Sequence, residues 1–180
     1  MKLIYSIACM LLAMVGCQPP QGNSVNEAFE KNSQTVMTYL EGIQTESLDY
    51  DALYAKDAIV RGTGFGSPDS LTLSDIIAEN NVSWSLFDLE LVTDPIVLLP
   101  GVNVDTKMAD GSVRYYGDWK ITIPATDSTN AKSGVLRLYE SFDFDENGKI
   151  VFQQYYGDYT ALIIHLMTNK SDSTEEGESE

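Results

Sequence analysis

The chain has 180 residues, with 11 Lys and Arg against 27 Asp and Glu and a single His, for a formal net charge of −16. That length suits one domain, and the 43% of hydrophobic residues is enough to build a core, which excludes global disorder. Such acidity excludes nucleic acid as a partner, because phosphate binding needs clustered Lys and Arg, and two Cys with one His exclude the common structural zinc clusters.

Residues 1–16 pair a basic Lys2 with a nearly continuous apolar run from Leu3 to Val15. The run falls short of the roughly 20 residues that span a bilayer and reads as a secretory signal. It ends in Met14-Val15-Gly16-Cys17. A small residue before Cys at the end of such a run resembles a bacterial lipoprotein cleavage box, although that family prefers Leu where Met14 stands. The resemblance implies cleavage before Cys17, lipidation of Cys17, and anchoring in the cell envelope, at the outer membrane or the periplasmic face. The alternatives are a plain signal peptide and an uncleaved anchor. Residues 17–24 contain Pro19 and Pro20 and no large apolar side chain, and read as a tether. Residues 170–180 carry five acids and no hydrophobe and read as a solvated tail. The domain is then residues 25–169.

Within the domain, Val36, Tyr39, Leu40 and Ile43 stand at i, i+3, i+4 and i+7 of one helix face, which Val25, Ala28 and Phe29 extend backwards. Asp49 is placed to cap a short helix over 50–55, and residues 58–60 are β-prone. Thr72 and Asp75 form a capping-box start for a third helix, with Leu73, Ile76, Ile77 and Trp84 on its apolar side. From Leu89 the period changes to two. Strands are expected over 89–99, broken at Asp94-Pro95, then over 113–123, 135–144 and 150–159. Pro100-Gly101 and the run Asp145-Glu146-Asn147-Gly148 are expected as turns. Helices followed by an antiparallel meander mean an α+β fold with the helices on one face of a curved sheet.

Two segments carry a family resemblance. Asp49-x-x-Ala52-Leu53-x-Ala55-x-Asp57-Ala58 follows the first helix, and an aromatic strand, the turn Asn147-Gly148-Lys149-Ile150 and a strand closing on Tyr156-Gly157-Asp158 end the domain. Together they resemble the nuclear-transport-factor-2-like superfamily in its polyketide-cyclase-like (SnoaL-like) branch. The resemblance implies a cystatin-like cone, with three N-terminal helices on a strongly curved antiparallel sheet, a pocket between them, and a possible homodimer through the sheet.

The candidate chemistry is sparse. The run from Asp143 to Asn147 copies half of a calcium loop, but Gln154 stands where its bidentate Glu belongs and strands flank it, so a β-hairpin is the expectation. The glycine-rich stretch 62–67 lacks phosphate-loop spacing and reads as a loop beside the cone mouth. No metal site and no cofactor is expected. His165 reads as packing rather than catalysis. Tyr115-Tyr116-Gly117-Asp118 and Tyr155-Tyr156-Gly157-Asp158 are near-copies.

Along the last strand Ile150 and Phe152 mark a core face, and on that parity Gln154, Tyr156 and Asp158 point into the pocket. On the neighbouring strand Glu140 is the polar exception on a face of Leu136, Leu138, Phe142 and Phe144. A buried carboxylate costs energy unless paired or neutralised, so Asp158 and Glu140 are the candidate catalytic residues. An ion pair with Arg114, Lys120 or Arg137 is the structural alternative. Tyr39, Tyr54, Trp119, Gln154 and Tyr156 are the candidate ligand-binding residues. Binding of a small apolar or aromatic molecule, or an accessory role, is the leading expectation. The alternative is an isomerase, cyclase or hydratase using a pocket carboxylate as general base. A pocket of ordinary ligand volume that holds a carboxylate of raised pKa would favour the enzyme.

Overall fold

A computed structural model describes residues 21–168. Residues 1–20 and 169–180, which include the signal, Cys17 and the acidic tail, lie outside the described residues. Helix α1 is Gln21–Gln44, α2 is Tyr50–Leu53 and β1 is Tyr54–Arg61. Helix α3, Leu73–Leu86, is followed by β2 (Asp88–Leu91), β3 (Val97–Val102), β4 (Ala109–Ile123), β5 (Lys132–Phe144), β6 (Ile150–Tyr156) and α4 (Tyr159–Met167).

The local signals act as expected at the helix starts. The Asp49 carboxylate accepts from the Ala52 N–H at 3.0 Å and caps α2. Thr72 and Asp75 form a full capping box on α3. The β-prone run at 58–60 falls in β1. The Asp145 turn closes on Gly148 at φ +82°, and its carboxylate accepts from the Asn147 and Lys149 N–H groups. That is the hairpin expectation.

The sheet runs β1-β6-β5-β4-β2, with β3 also on β4. β4 is long enough for β2 to pair with its second half and β3 with its first. All pairings are antiparallel except β1 with β6, which is parallel. The mixed α+β class and the curled, mainly antiparallel sheet are therefore as expected, with one parallel edge that the meander reading did not contain. Pro100-Gly101 is a second difference: it lies inside β3 at a register shift. A Cβ on Gly101 would overlap the Ser112 hydroxyl and the Arg114 guanidinium, so glycine permits this close crossing. The turn itself comes later, where the Asn103 side chain accepts from the Asp105 and Thr106 N–H groups.

A third difference is α4. The last strand stops at Tyr156 rather than running to 159, and the chain then turns into a helix whose Leu162 and Leu166 are buried. The core lies between the inner sheet face, with Val113, Tyr115 and Phe142, and α1, with Val36 and Leu40, all 0–1% exposed. The opposite face carries Tyr116, Tyr139 and Tyr156 in one row across three strands, with ring centroids 4.8 and 5.9 Å apart.

Candidate functional site

A cavity of about 390 Å³ opens between the inner sheet face, α1, α3 and α4. Its walls are mainly apolar, with Ile43, Val60, Ile76, Trp119 and Ile121 among them. Gly64 and Ser67 of the glycine-rich stretch stand at its edge, which fits the loop reading of that stretch. Glu140, Gln153 and Tyr39 bring polar atoms to the wall formed by β5, β6 and α1.

Glu140 is the chemical centre of this wall. The alternation of β5 points it inward with Leu136, Leu138 and Phe142, as expected, and it is 3% exposed. Among the described residues no cation pairs with it: Arg114 pairs with Asp143 at 3.2 Å and Lys120 with Glu90 at 2.9 Å. Gln153 Nε2 donates to Glu140 Oε2 at 2.7 Å and to the Tyr39 hydroxyl oxygen at 2.9 Å. The Tyr39 hydroxyl donates to the same Oε2 at 3.3 Å. The Tyr54 hydroxyl donates to Gln153 Oε1 at 2.6 Å and fixes which way that amide points. Both bonds to the carboxylate end on Oε2. Oε1 receives none among the described residues and is open to the cavity.

Burial without a cation raises the Glu140 pKa to about 7, against the opposing effect of the Gln153 and Tyr39 hydrogen bonds. The surrounding tyrosines titrate high as well. Burial raises Tyr39 and Tyr54 well above the usual tyrosine value, and the Glu140 charge adds to it. Tyr155 is raised by burial, then by Glu79 and Glu140, and Tyr159 by burial, then by Glu140. These hydroxyls stay protonated at any physiological pH.

Of the sequence candidates, Tyr39, Trp119 and Glu140 line the cavity, and Tyr54 stands behind it through Gln153. Three candidates are corrected. Gln154 and Tyr156 lie on the outer face beside Arg61 and Thr63, away from this cavity. Asp158 is exposed at the start of α4, where its carboxylate caps the helix by accepting from the Ala161 N–H at 3.1 Å. The cause is a β-bulge. Phe144 pairs with Ile150 and Asp143 with Phe152, so Val151 is an extra residue in β6. One extra residue reverses the parity of everything after it, which brings Gln153 and Tyr155 inside and sends Gln154 and Tyr156 out. His165 sits exposed in the last turn of α4 with Nε2 3.2 Å from the Ser133 carbonyl oxygen, outside this cavity.

Gln153, Tyr155, Tyr159 and Glu79 are among the cavity residues that the sequence reading missed. For Tyr155 a signal existed. It occupies the place of Tyr115 in the near-copied pair, and Tyr115 lies on the inward face with Trp119.

No family model matches the chain in sequence, and no curated protein matches it significantly. Solved structures do match in fold. A provisionally assigned polyketide cyclase from Xanthomonas campestris pv. campestris has a TM-score of 0.59 at 18% identity, over 77% of this chain and 98% of that one. A provisionally assigned polyketide cyclase from Streptomyces antibioticus has a TM-score of 0.57 at 15% identity, over 76% of this chain and 99% of that one. A phenazine biosynthesis-related protein from Pseudomonas aeruginosa has a TM-score of 0.57 at 18% identity, over 88% of this chain and 99% of that one. The fold is thus shared with solved polyketide cyclases, as the two sequence segments implied.

Proposed function

We propose that this chain is a lipid-anchored envelope protein whose cone receives a small, mainly apolar molecule, and that Glu140 exchanges a proton with it. This is chemistry of the isomerase, cyclase or hydratase kind. One observation carries the reading: a buried carboxylate without a counter-charge leaves one oxygen free in an apolar cavity of ligand size. With a pKa of about 7, both protonation states are populated at neutral pH, which suits a group that must take up and return a proton. Oε1 would form a bond to hydrogen as a C–H bond beside a carbonyl breaks, and the electron pair would pass into the enolate oxygen. The Tyr155 and Tyr159 hydroxyls, which belong to the same cavity, would supply the donors that such an oxygen needs. The Tyr39–Gln153–Tyr54 chain holds Oε2 still while Oε1 reacts. Polyketide cyclases among the structural relatives add support. The anchoring rests on residues 1–17 of the sequence.

The test is solvent exchange at the α-carbon of a compact apolar ketone such as 2-tetralone, followed by NMR in D₂O. The full-length protein should accelerate exchange, and Glu140→Gln should lose the acceleration by on the order of a hundredfold. No acceleration by the parent, or an equal rate with the variant, would refute proton transfer. Binding without turnover is the second reading. It is favoured by the place of the single histidine at Ser133, which leaves Glu140 with no imidazole to relay its proton.

A further inference from the structure

We infer that the cavity selects an organic cation: a compact apolar body that carries a protonated or quaternary nitrogen, seated against Glu140 Oε1 and the aromatic wall. This names the substrate class for the site proposed above and rests on that site being the ligand site.

The charge inventory of the cavity is one-sided. Among the described residues its lining holds two carboxylates, Glu140 at the β5 wall and Glu79 on α3, and no Lys, Arg or His. Tyr39 from α1, Trp119 from β4, Tyr155 from β6 and Tyr159 from α4 complete the wall around Glu140. Tyr155 lies within the field of both carboxylates, and Tyr159 within that of Glu140. All four aromatic groups are neutral, and ring faces attract cations through their quadrupole. The chain as a whole, at a net −16, contributes to the same field, which a low-dielectric cleft concentrates.

The free oxygen decides between ligand classes. An anion would face two carboxylates with no cation to offset them. A neutral ligand could donate a hydrogen bond to Oε1 but would leave the buried charge uncompensated. A cation supplies the counter-charge that the protein withholds from Glu140, since Arg114 and Lys120 pair instead with Asp143 and Glu90. A pair formed at this buried carboxylate is stronger than one at the surface. A cationic nitrogen also acidifies an adjoining C–H, so ion pairing and proton abstraction by Glu140 do not exclude one another.

The experiment uses three probes on one skeleton: 2-naphthylmethylamine, 2-naphthalenemethanol and 2-naphthoate. Binding to the full-length protein is measured by calorimetry at pH 8, where Glu140 is largely ionised. The amine should bind at least about tenfold more tightly than the alcohol, as expected for a desolvated cation–π contact together with a charged hydrogen bond, and the carboxylate should not bind measurably. Glu140→Gln should bring amine and alcohol within about threefold. Trp119→Leu, which leaves the carboxylate in place, should weaken the amine more than the alcohol. The inference is overturned if alcohol or carboxylate binds as tightly as the amine, or if the amine preference survives Glu140→Gln. The ketone-exchange assay is independent of this ranking. Lost exchange with an intact amine preference removes proton transfer alone, and the converse removes cation selection alone.

Discussion

Replacing Glu140 by Gln should change not only the stability of the protein but its dependence on pH. A glutamate has an ordinary pKa of 4.5, and burial raises Glu140 to about 7. The sign is opposite to that of a salt-bridged carboxylate. Below pH 4.5 both folded and unfolded chains hold the proton. Between 4.5 and about 7 the unfolded chain releases it while the folded chain keeps it. The unfolded state then binds fewer protons, so stability falls as pH rises. The loss is complete once pH passes the folded value. At about 1.4 kcal/mol per pH unit, the interval corresponds to about 3 kcal/mol. For a protein of this size that is on the order of 6–12 °C in Tm.

Gln is nearly isosteric with the protonated acid. Its carbonyl oxygen can occupy the Oε2 position and accept from Gln153 and Tyr39, and its amide then takes the Oε1 side that faces the cavity. The two proteins should have similar stability near pH 5. By pH 8 the variant should be more stable by about 3 kcal/mol. The remaining carboxylates titrate in both proteins and cancel in the difference. Urea unfolding of parent and variant at half-unit steps from pH 5 to 8.5 measures it. A difference that stays constant over this range, or a parent that gains on the variant as pH rises, would refute the account of Glu140 as a buried carboxylate without a counter-charge.

Tyr54→Phe removes the donor to Gln153 Oε1 and leaves that buried acceptor unsatisfied; unfolding in urea should show a loss of about 1–3 kcal/mol. Asp158→Ala removes the α4 cap and should lower stability by about 1 kcal/mol while ketone exchange continues at the parental rate. A hundredfold loss of exchange in that variant would return Asp158 to the chemistry. Cys17→Ser should abolish incorporation of labelled fatty acid and move the protein out of the detergent phase; a variant that still partitions with membrane would refute lipid anchoring through Cys17.

Much of the fold was legible because it is written in local rules. The spacing of Val36, Tyr39, Leu40 and Ile43 defines a helix face whatever that helix packs against. Asp49 and Thr72 announce their helices by satisfying backbone donors within three residues. The parallel pairing of β1 with β6 had no such signal, since it joins residues nearly a hundred positions apart and depends on how far the sheet curls. Helix α4 was hidden for a different reason. The apolar sequence from Tyr159 to Met167 has no clear polar face to break its run, and a short apolar run is compatible with strand or helix alike. Asp158 could have marked its start, but alternation through Tyr156 had already assigned that side chain to the pocket.

The site divides along the same line. Glu140 was legible because β5 alternates without interruption, so a polar residue on an apolar face stands out. Gln154, Tyr156 and Asp158 were misplaced because strand parity is a cumulative inference. It counts residues from an anchor, Ile150 in this case, and one uncounted residue inverts every later assignment. The bulge at Val151 has no side-chain signature: Val151 and Phe152 both suit a strand, and the bulge shows only in the pairing of β6 with β5 beside the Asp145 turn. Gln153 could not be distinguished from Gln154 by residue type at all. What separates them is the Tyr54 hydroxyl, 99 positions away, which holds the inner glutamine in place. The polar centre of this cone is therefore set by two long-range facts, a bulge and a tyrosine from the parallel edge strand. The pocket chemistry depends on both, because without the turned amide of Gln153 the Glu140 carboxylate would keep only the longer bond from Tyr39.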